Sequence, residues 1–372
     1  MARMLPDGRR LGAHLALTGG LVQAADRAVE IGATALQIFD DNPTAWQRRA
    51  APSAEIPAFR ARLVAADIAP LAIHASYLIN LAGSIPAYHD RSVALLAAEL
   101  RSARRFGASI VNVHIGSHGG AGIDAGIERL VTAIGRALAV EDEPDDDAAA
   151  EDGVTASGQD RTTERASEPS LPFEPSPPPM ITLENAAGGG NALGLDVDEL
   201  SAIADAIDVA GIPPERIGFC LDTAHAWSAG YDLADPVAID ALVDEFDGRI
   251  GLGRLALIHL NDSKTERGSR LDRHQHVGAG RIGALGMAHL LRHPRLARAT
   301  WILETPGMDE GYDAINLARA VALATGQPLA PLPPGALTLR GSRSKAATPP
   351  VDPAREPELE SVPASDRRPR SA

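Results

Sequence analysis

The stretch IGFCLDTAHAWSAGY, residues 217–231, decides the fold because an apolar run in it ends abruptly in polar side chains. The first six residues have the length and composition of a strand buried in a parallel sheet. Asp222 closes the run and His225 follows three residues later, a spacing at which both side chains can reach one or two neighbouring metal ions. The same residues also fit a simpler structure, in which Asp222 caps the next helix and His225 lies on its first turn. The rest of the chain separates these alternatives.

Eight short apolar runs alternate with segments rich in Ala and Leu, whose opposite face carries Arg and Glu. Eight such alternations predict an α/β protein with a (β/α)8 TIM-barrel fold. An open, doubly wound sheet is the alternative, because strand number alone does not close a sheet. The predicted strands are 11–17, 35–39, 71–75, 110–116, 181–186, 217–222, 255–261 and 300–305. The predicted helices are 21–31, 56–66, 92–106, 123–140, 197–210, 236–247, 285–291 and 312–324.

Two segments differ in composition from the predicted catalytic barrel, which we place at residues 11–330 after a short N-terminal segment, 1–10. Residues 141–179 combine acidic runs with PSPPP and predict a disordered acidic insert between the fourth helix and the fifth strand. That connection lies on the barrel face opposite the strand carboxyl ends. Residues 331–372 predict a disordered tail.

The formal net charge of −14 argues against a simple electrostatic nucleic-acid binder. Part of this excess lies in the predicted insert, and bound divalent ions would offset more, so a DNA substrate is not excluded. The single cysteine, Cys220, excludes a disulfide within the chain and is expected to be a buried core residue. The start, MARMLPDGRR, lacks the apolar core of a signal peptide, and no apolar run reaches transmembrane length. These features predict a cytoplasmic protein without membrane contact.

Side chains that bind metal ions are concentrated where the predicted strands end. In a barrel these positions converge at the face where barrel enzymes have their active sites. Five histidines and four carboxylates there need compensating cations, and the sequence supplies few basic residues nearby. The mixed nitrogen and oxygen set suits Zn²⁺, with Mn²⁺ or Fe²⁺ as substitutes, and is too large for one tetrahedral ion. The nine residues are His74, His114, Glu184, Asp222, His225, His259, Asp272, His274 and Glu304.

Two or three closely spaced divalent ions are suited to phosphodiester hydrolysis, because they clamp a phosphate, activate water and stabilise the departing oxygen. A sugar isomerase or epimerase on the same barrel is an alternative. Its sites usually hold one or two ions, so the third group, His225, Asp272 and His274, favours the nuclease. A second alternative is a metal-loaded module that binds damaged DNA without cleaving it.

Eight motifs together resemble endonuclease IV, the apurinic/apyrimidinic endonuclease family. They are LGAHLALTGGL, HASYLINLAG, VNVHIGSH, LENAAGGGNALG, CLDTAHAWSAGYD, HLNDSK, GSRLDRHQHVGAGRIG and LET, and they extend over about residues 11–325 apart from the insert. The resemblance implies a xylose-isomerase-like (β/α)8 barrel that binds three zinc ions and acts in base excision repair. It also implies cleavage of double-stranded DNA 5′ to an abasic site, leaving a 3′-hydroxyl and a 5′-deoxyribose phosphate. We expect a monomer.

The resemblance also implies a role for each candidate residue. Glu304 and Glu184 would be catalytic, with Glu304 orienting the attacking water. Tyr77 and Leu78 match positions that insert into the duplex at the abasic gap, and Arg273 is a further expected DNA contact. The metal ligands would be His74, His114 and Glu184 for the first ion, Glu184, Asp222, His259 and Glu304 for the second, and His225, Asp272 and His274 for the third.

Two positions depart from the family pattern. Thr44 occupies the position in the NPxxW loop where the family usually carries an arginine that fills the duplex, and Arg48 or Arg49 could substitute for it. Ala279 replaces the glutamate of the family's GEG motif. Neither residue is an expected metal ligand, so we expect altered substrate handling rather than lost chemistry.

Overall fold

Eight parallel strands close into a barrel in the computed structural model, which describes residues 5–49, 53–141 and 177–339. The barrel strands are β1 (Leu11–His14), β2 (Ala35–Ile38), β3 (Leu71–His74), β4 (Ile110–His114), β5 (Met180–Glu184), β6 (Ile217–Asp222), β7 (Leu255–His259) and β10 (Thr300–Leu303). Their order around the barrel is β1, β10, β7, β6, β5, β4, β3, β2, and β1 pairs with β2 to complete the circle. This closure confirms the predicted TIM barrel and excludes the open sheet.

The helices surround the barrel and bury their apolar faces against it. They are α1 (Leu21–Ile31), α2 (Ile56–Ala65), α3 (Pro86–Phe106), α4 (Ile123–Val140), α5 (Val197–Val209), α6 (Thr223–Ala229), α7 (Pro236–Arg249), α8 (Gly283–Arg292) and α9 (Tyr312–Thr325). Within the described part of the chain, no helix combines the length and apolar character needed to span a membrane.

Three features of this architecture differ from the predicted elements. The short helix α6 follows β6 directly and is additional to the eight predicted helices. A small antiparallel pair, β8 (Asp262–Ser263) and β9 (His274–Gln275), was also not predicted, because strands of two residues carry no periodic signal. Most strands end earlier than predicted, because the loops that follow them begin with apolar residues.

Alternation along the strands separates the barrel interior into layers, because residues two apart point to the same face. One layer is a buried apolar cluster of Ala35, Cys220, Leu257 and Ile302. Two residues further along the same strands are Gln37, Asp222, His259 and Glu304. The apolar cluster therefore forms a floor beneath a layer of polar side chains, and Cys220 belongs to this floor as predicted.

Residues 331–339, the first part of the predicted disordered tail, differ from the prediction because they have a defined structure. They end in a short 3-10 helix, Ala336–Thr338, in which Ala336 is buried. The carbonyl of Ala336 accepts a hydrogen bond from His276 Nε2 (3.1 Å), and that of Leu339 accepts one from Lys264 Nζ (2.6 Å). Residues 340–372 lie outside the described part of the chain.

The predicted acidic insert lies almost wholly outside the described residues, but the structure shows how its two ends are joined. Arg216 Nη2 donates to both carboxylate oxygens of Glu141, at 2.7 and 2.8 Å. Arg216 Nε donates to the carbonyl of Pro179 at 3.2 Å. Glu141 is 2% exposed and also accepts from Arg104 at 2.6 Å. One arginine therefore bridges the residues where the insert leaves the barrel and returns to it.

The contact between β1 and β2 requires a glycine at position 12. Gly12 pairs with Ala35, and a Cβ added to Gly12 would lie 1.9 Å from the Ala35 carbonyl oxygen. Backbone atoms on both sides of this contact belong to the closed barrel, so neither strand can shift without affecting its neighbours.

We expect Gly12→Ala to lower the free energy of unfolding by about 1–3 kcal/mol, because the barrel must open locally to admit one methyl group. Urea unfolding followed by circular dichroism measures this loss. Gly253→Ala is the matched control, because its added Cβ would meet nothing within 4 Å. Equal stabilities of the two variants would contradict the packing argument.

Candidate metal centre

Six potential metal ligands project from the carboxyl ends of neighbouring barrel strands. Register brings two pairs to the same level, since His114 lies opposite Glu184 and Asp222 lies opposite His259. A closed parallel barrel points all these ends at one face, and the six side chains form one ring there. They are His74 on β3, His114 on β4, Glu184 on β5, Asp222 on β6, His259 on β7 and Glu304 directly after β10.

Glu184 stands between two groups of nitrogen ligands. Its Oε2 lies 3.8 Å from His74 Nε2 and 3.4 Å from His114 Nε2. Its Oε1 lies 3.3 Å from His259 Nδ1. Ligand atoms around a tetrahedral ion with bonds of 2.0–2.1 Å are about 3.3 Å apart, so these spacings suit direct coordination. Glu184 therefore faces histidine nitrogens through both of its carboxylate oxygens.

A second group surrounds His259 Nδ1. Besides Glu184, Glu304 Oε2 lies 3.2 Å from this nitrogen, and Asp222 Oδ2 lies 3.8 Å from it. Three carboxylate oxygens around one imidazole nitrogen need a positive charge between them, which either a proton or a metal ion can supply.

A third group contains the two predicted residues of the β8–β9 region. Asp272 Oδ1 lies 2.9 Å from His274 Nε2, and Asp272 Oδ2 lies 3.6 Å from His225 Nε2. His274 Nε2 is also 3.6 Å from Asp222 Oδ2, which connects this group to the second. All nine residues predicted from the sequence thus lie in one continuous cluster.

Asp222 both caps a helix and belongs to the metal-binding cluster, the two roles that the sequence left open. Its Oδ1 accepts a hydrogen bond from the backbone N–H of His225 at 2.9 Å and so caps α6. Its Oδ2 faces His259 and His274 and accepts from Asn261 Nδ2 at 2.7 Å. His225 lies on the first turn of α6 and still reaches the cluster, so capping and metal binding are compatible.

The hydrogen bonds of four of the five histidines leave one ring nitrogen free to coordinate. In three rings Nδ1 donates to a backbone carbonyl, which leaves Nε2 directed at the cluster. The pairs are His74 with Ala75 (2.8 Å), His225 with Asn185 (2.8 Å) and His274 with Glu304 (2.7 Å). In His259 the two nitrogens exchange these roles. Its Nε2 is hydrogen-bonded to Gln37 Oε1 at 3.1 Å, and its Nδ1 faces the carboxylates.

Several buried residues that orient the ligands were not predicted. Asn112 Nδ2 donates to Glu184 Oε2 (2.6 Å), and Thr182 Oγ1 donates to Asn112 Oδ1 (2.8 Å). Asn261 bonds Asp222 and accepts from the backbone N–H of Glu304 at 2.8 Å. A signal existed, because Asn112, Thr182 and Asn261 each lie two residues from a predicted ligand on the same strand run.

Charge within the cluster is balanced between carboxylates and imidazoles. Burial alone would raise the pKa of Glu184, but His259 and His114 outweigh it and hold that pKa well below its usual value. Burial alone would lower the pKa of His274, but Asp272 and Asp222 outweigh it and raise that pKa to about 10. Burial dominates at His74 and lowers its pKa to about 4. Binding of a cation would therefore displace protons from some imidazoles, while His74 is already a neutral ligand.

The donor set fits divalent metal ions. His274 Nε2 is buried and has no hydrogen-bond partner, although it faces two carboxylates. Nitrogen and carboxylate oxygen are ligands that Zn²⁺ accepts, and the spacings of 3.2–3.4 Å around Glu184 and His259 are close to those of a tetrahedral site. The cluster is therefore a candidate metal centre, and the division of its ligands among individual ions remains a prediction.

The predicted DNA-contact residues lie around the rim of the centre. Tyr77 is 52% exposed, and its ring centroid lies 5.6 Å from that of His74 and 6.1 Å from that of His114. Leu78 is half-buried beside it, and Arg273 is exposed, with Nη1 donating to the carbonyl of Asp272 at 2.6 Å. All three are thus close to the cluster in the chain or in space, and their contacts with DNA remain a prediction.

The loop that carries Thr44 contains two arginines with different surroundings. Thr44 is exposed. Arg48 pairs with the buried Asp40 and is largely shielded from water. Arg49 pairs with Asp41 at 3.2 Å, but 62% of its side chain is exposed. Arg49 is therefore the better placed of the two to substitute for the family's arginine.

Ala279 lines an open surface pocket with a volume of about 440 Å³. Lys264, Gln275, Arg281 and Leu337 also line it. The amine of Lys264 donates to the carbonyl of Leu339. The C-terminal residues 337–339 therefore contribute to the surface where the sequence departs from the family.

The fold and the cluster define a class, the TIM barrels with metal-ligating side chains at the strand carboxyl ends, and comparisons with known proteins agree. Residues 25–323 match the family described as xylose isomerase-like TIM barrel. The chain is 39% identical to the probable endonuclease 4 of Methanoculleus marisnigri, over 84% of this chain and 98% of that protein. It is 36% identical to the probable endonuclease 4 of Halothermothrix orenii, over 83% and 99%.

Solved structures give the same result. The crystal structure of endonuclease IV from Thermus thermophilus superposes with a TM-score of 0.66 at 33% identity, covering 85% of this chain and 99% of that one. A D-tagatose 3-epimerase-like protein reaches a TM-score of 0.55 at 15% identity, with 85% and 97% coverage, which shows the shared fold alone. The chain belongs to the endonuclease IV family, which confirms the resemblance drawn from its motifs.

Removing divalent metal should destabilise the protein, because the clustered carboxylates lose the cations that bind only the folded state. We expect a chelator to lower the melting temperature by about 5–10 °C and added Zn²⁺ to restore it. Scanning calorimetry measures the shift. Glu184→Gln should show a smaller chelator-dependent shift than the wild type, and an unchanged shift would contradict the role of Glu184 as a shared ligand.

Proposed function

We propose that this protein is a zinc-dependent endonuclease of base excision repair that hydrolyses the phosphodiester 5′ to an abasic site in double-stranded DNA. The products are a 3′-hydroxyl and a 5′-deoxyribose phosphate. The main support is that nine side chains able to bind metal ions lie together beside an exposed tyrosine. They lie at the barrel face where TIM-barrel enzymes have their active sites. Membership of the endonuclease IV family supports it.

The proposed centre holds three zinc ions per chain, with Mn²⁺ or Fe²⁺ as substitutes. When bound, closely spaced divalent ions clamp a phosphate, lower the pKa of a water molecule and stabilise the departing oxygen. The three ligand groups and the bridging position of Glu184 support this number. Three divalent ions would also offset part of the net charge of −14, which would otherwise repel DNA. We propose that the protein acts as a monomer.

Glu304 is the proposed residue that orients the attacking water. Its Oε2 faces the cluster, while its Oε1 accepts from Gln37 Nε2 at 2.6 Å and lies 3.1 Å from His14 Nδ1. Burial alone would raise the pKa of Glu304, but His259 outweighs it and holds that pKa well below its usual value. Glu304 is therefore ionised and able to orient a water molecule by accepting a hydrogen bond from it.

Glu184 is the second proposed catalytic residue, because both of its oxygens face ligand groups. Asn112 holds Oε2 in place, and His259 fixes the direction of Oε1. A carboxylate fixed at both oxygens keeps the two adjacent groups at a constant separation. Such preorganisation lowers the cost of stabilising charge as the bond to phosphorus forms and breaks.

The third ligand group separates this proposal from the sugar-isomerase alternative. His225, Asp272 and His274 add a complete set of ligands beyond those that one or two ions need. They lie beside the first two groups through Asp222, so a cation held by them would stabilise the charge that develops on the departing 3′-oxygen. An isomerase reaction leaves this group without a role.

Abasic DNA is the proposed substrate because of the side chains at the rim. Tyr77 and Leu78 would enter the duplex where a base is missing, and Arg273 would contact the backbone. Insertion into stacked DNA costs a few kcal/mol and costs least at a gap, so these residues favour damaged over intact sites. The exposure of Tyr77 above His74 and His114 supports an approach of the gap to the centre.

Glu304→Gln should reduce nicking of an end-labelled duplex with one abasic analogue by about 10²–10⁴-fold, because a neutral amide replaces the ionised carboxylate that would orient the water. The wild-type protein should nick this duplex, and a chelator should abolish the cleavage. Glu128→Gln is the control, since Glu128 is exposed on α4. Undiminished nicking by Glu304→Gln would reject the assignment, and an intact duplex after incubation with zinc-loaded wild type would reject the activity.

Tyr77→Ala should raise the KM for abasic duplex by about tenfold with a smaller change in kcat, because a stacking contact with the substrate is lost while all nine candidate ligands are retained. Steady-state kinetics measure both constants. Tyr88→Ala is a matched control, since Tyr88 is exposed to a similar degree, 55% against 52%. Equal KM values for the two variants would show that Tyr77 does not contact the substrate.

A further inference from the structure

Gln37 reaches from β2 across the barrel interior to two of the proposed ligands. It is fully buried, and its Nε2 donates to Glu304 Oε1 at 2.6 Å. Its Oε1 lies 3.1 Å from His259 Nε2. β2 pairs with β1 and β3, whereas His259 and Glu304 belong to β7 and the end of β10. Gln37 therefore connects strands that share no backbone hydrogen bonds with its own.

Glu304 determines the orientation of the Gln37 amide. If the amide were turned by 180°, its carbonyl oxygen would face the Glu304 carboxylate oxygen at 2.6 Å. Two hydrogen-bond acceptors would then be in contact, which buried polar atoms avoid. The amide nitrogen must consequently face Glu304, and the amide oxygen must face His259.

The orientation of the amide in turn determines which ring nitrogen of His259 carries the hydrogen. An amide oxygen only accepts hydrogen bonds, so His259 Nε2 must carry the hydrogen. A neutral His259 then presents the lone pair of Nδ1 to Glu184, Asp222 and Glu304, between which a cation fits. His74, His225 and His274 have backbone carbonyls for the same purpose. Of these four rings, His259 alone depends on a side chain that a substitution can change.

We propose that Gln37 is a positioning residue for the metal centre, which makes His259 coordinate through Nδ1 and turns Glu304 Oε2 towards the same ion. The inference rests on the proposed function for the identity of the ligands. It extends that function by assigning to β2, which carries none of the nine ligands, control over how the second ion is held.

Gln37→Leu tests the proposal, because leucine has a similar volume and neither donor nor acceptor. Starting from the zinc-loaded full-length chain, the variant should lose one ion to a competing chelator at about 10–100-fold lower chelator concentration than the wild type. Thr34→Val is the matched control. It removes a buried hydroxyl, which bonds the N–H of Leu11, next to the opposite end of the same strand. The control should retain zinc as the wild type does.

Histidine ¹⁵N spectra provide a second readout that a purely structural role would not move. The wild type should show His259 with hydrogen on Nε2, because the amide oxygen of Gln37 accepts this hydrogen bond. In Gln37→Leu the other tautomer should appear. Zinc retention equal to wild type, or an unchanged His259 tautomer in Gln37→Leu, would overturn the proposal. If the wild type fails to cleave abasic DNA, the proposed function is rejected. Zinc retention and the His259 tautomer then still test the role of Gln37.

Discussion

Charge balance among buried carboxylates and imidazoles is the constraint on which this structure depends. Glu184, Asp222 and Glu304 lie within one ring at the end of the barrel, and no described lysine or arginine is paired with any of them. Uncompensated carboxylates in such a position cost several kcal/mol each. Their positive counterpart comes from the histidines, as protons, or from metal ions that displace those protons. The closed barrel is therefore required twice, to bring the ligands together and to exclude the water that would otherwise screen them.

The fold and the meeting of the nine candidate ligands could be predicted because both depend on local features of the sequence. Each βα unit carries its own apolar run, and a ligand such as His114 or Glu184 marks the end of that run. Parallel strands in a closed barrel share one carboxyl-end face, so residues far apart in the chain converge without any further information. The position of a residue within its strand was sufficient, and no contact between strands had to be known.

The residues that orient the ligands could not be predicted in the same way. Gln37 is a polar interruption in the run ALQIF, and its importance depends on the width of the barrel, which brings it to Glu304 and His259. The commitment of Arg48 to Asp40 is likewise a contact between loop residues whose path the sequence does not specify. Asp222 shows a third reason why sequence is not sufficient. Helix capping and metal binding are alternatives in the sequence, but in the structure Oδ1 caps α6 while Oδ2 faces the cluster. Side chains with two functional atoms can satisfy two local rules at once.

The bridge made by Arg216 has a consequence for the evolution and engineering of this barrel. Because Glu141 and Pro179 are held by one guanidinium, the neighbouring strands are fixed at the base of the connection. Whatever length of polypeptide joins those two points, the framework below it is the same. We therefore expect that material between these two points can be lengthened, shortened or exchanged without disturbing the opposite face of the barrel, and that a reporter domain could be inserted here.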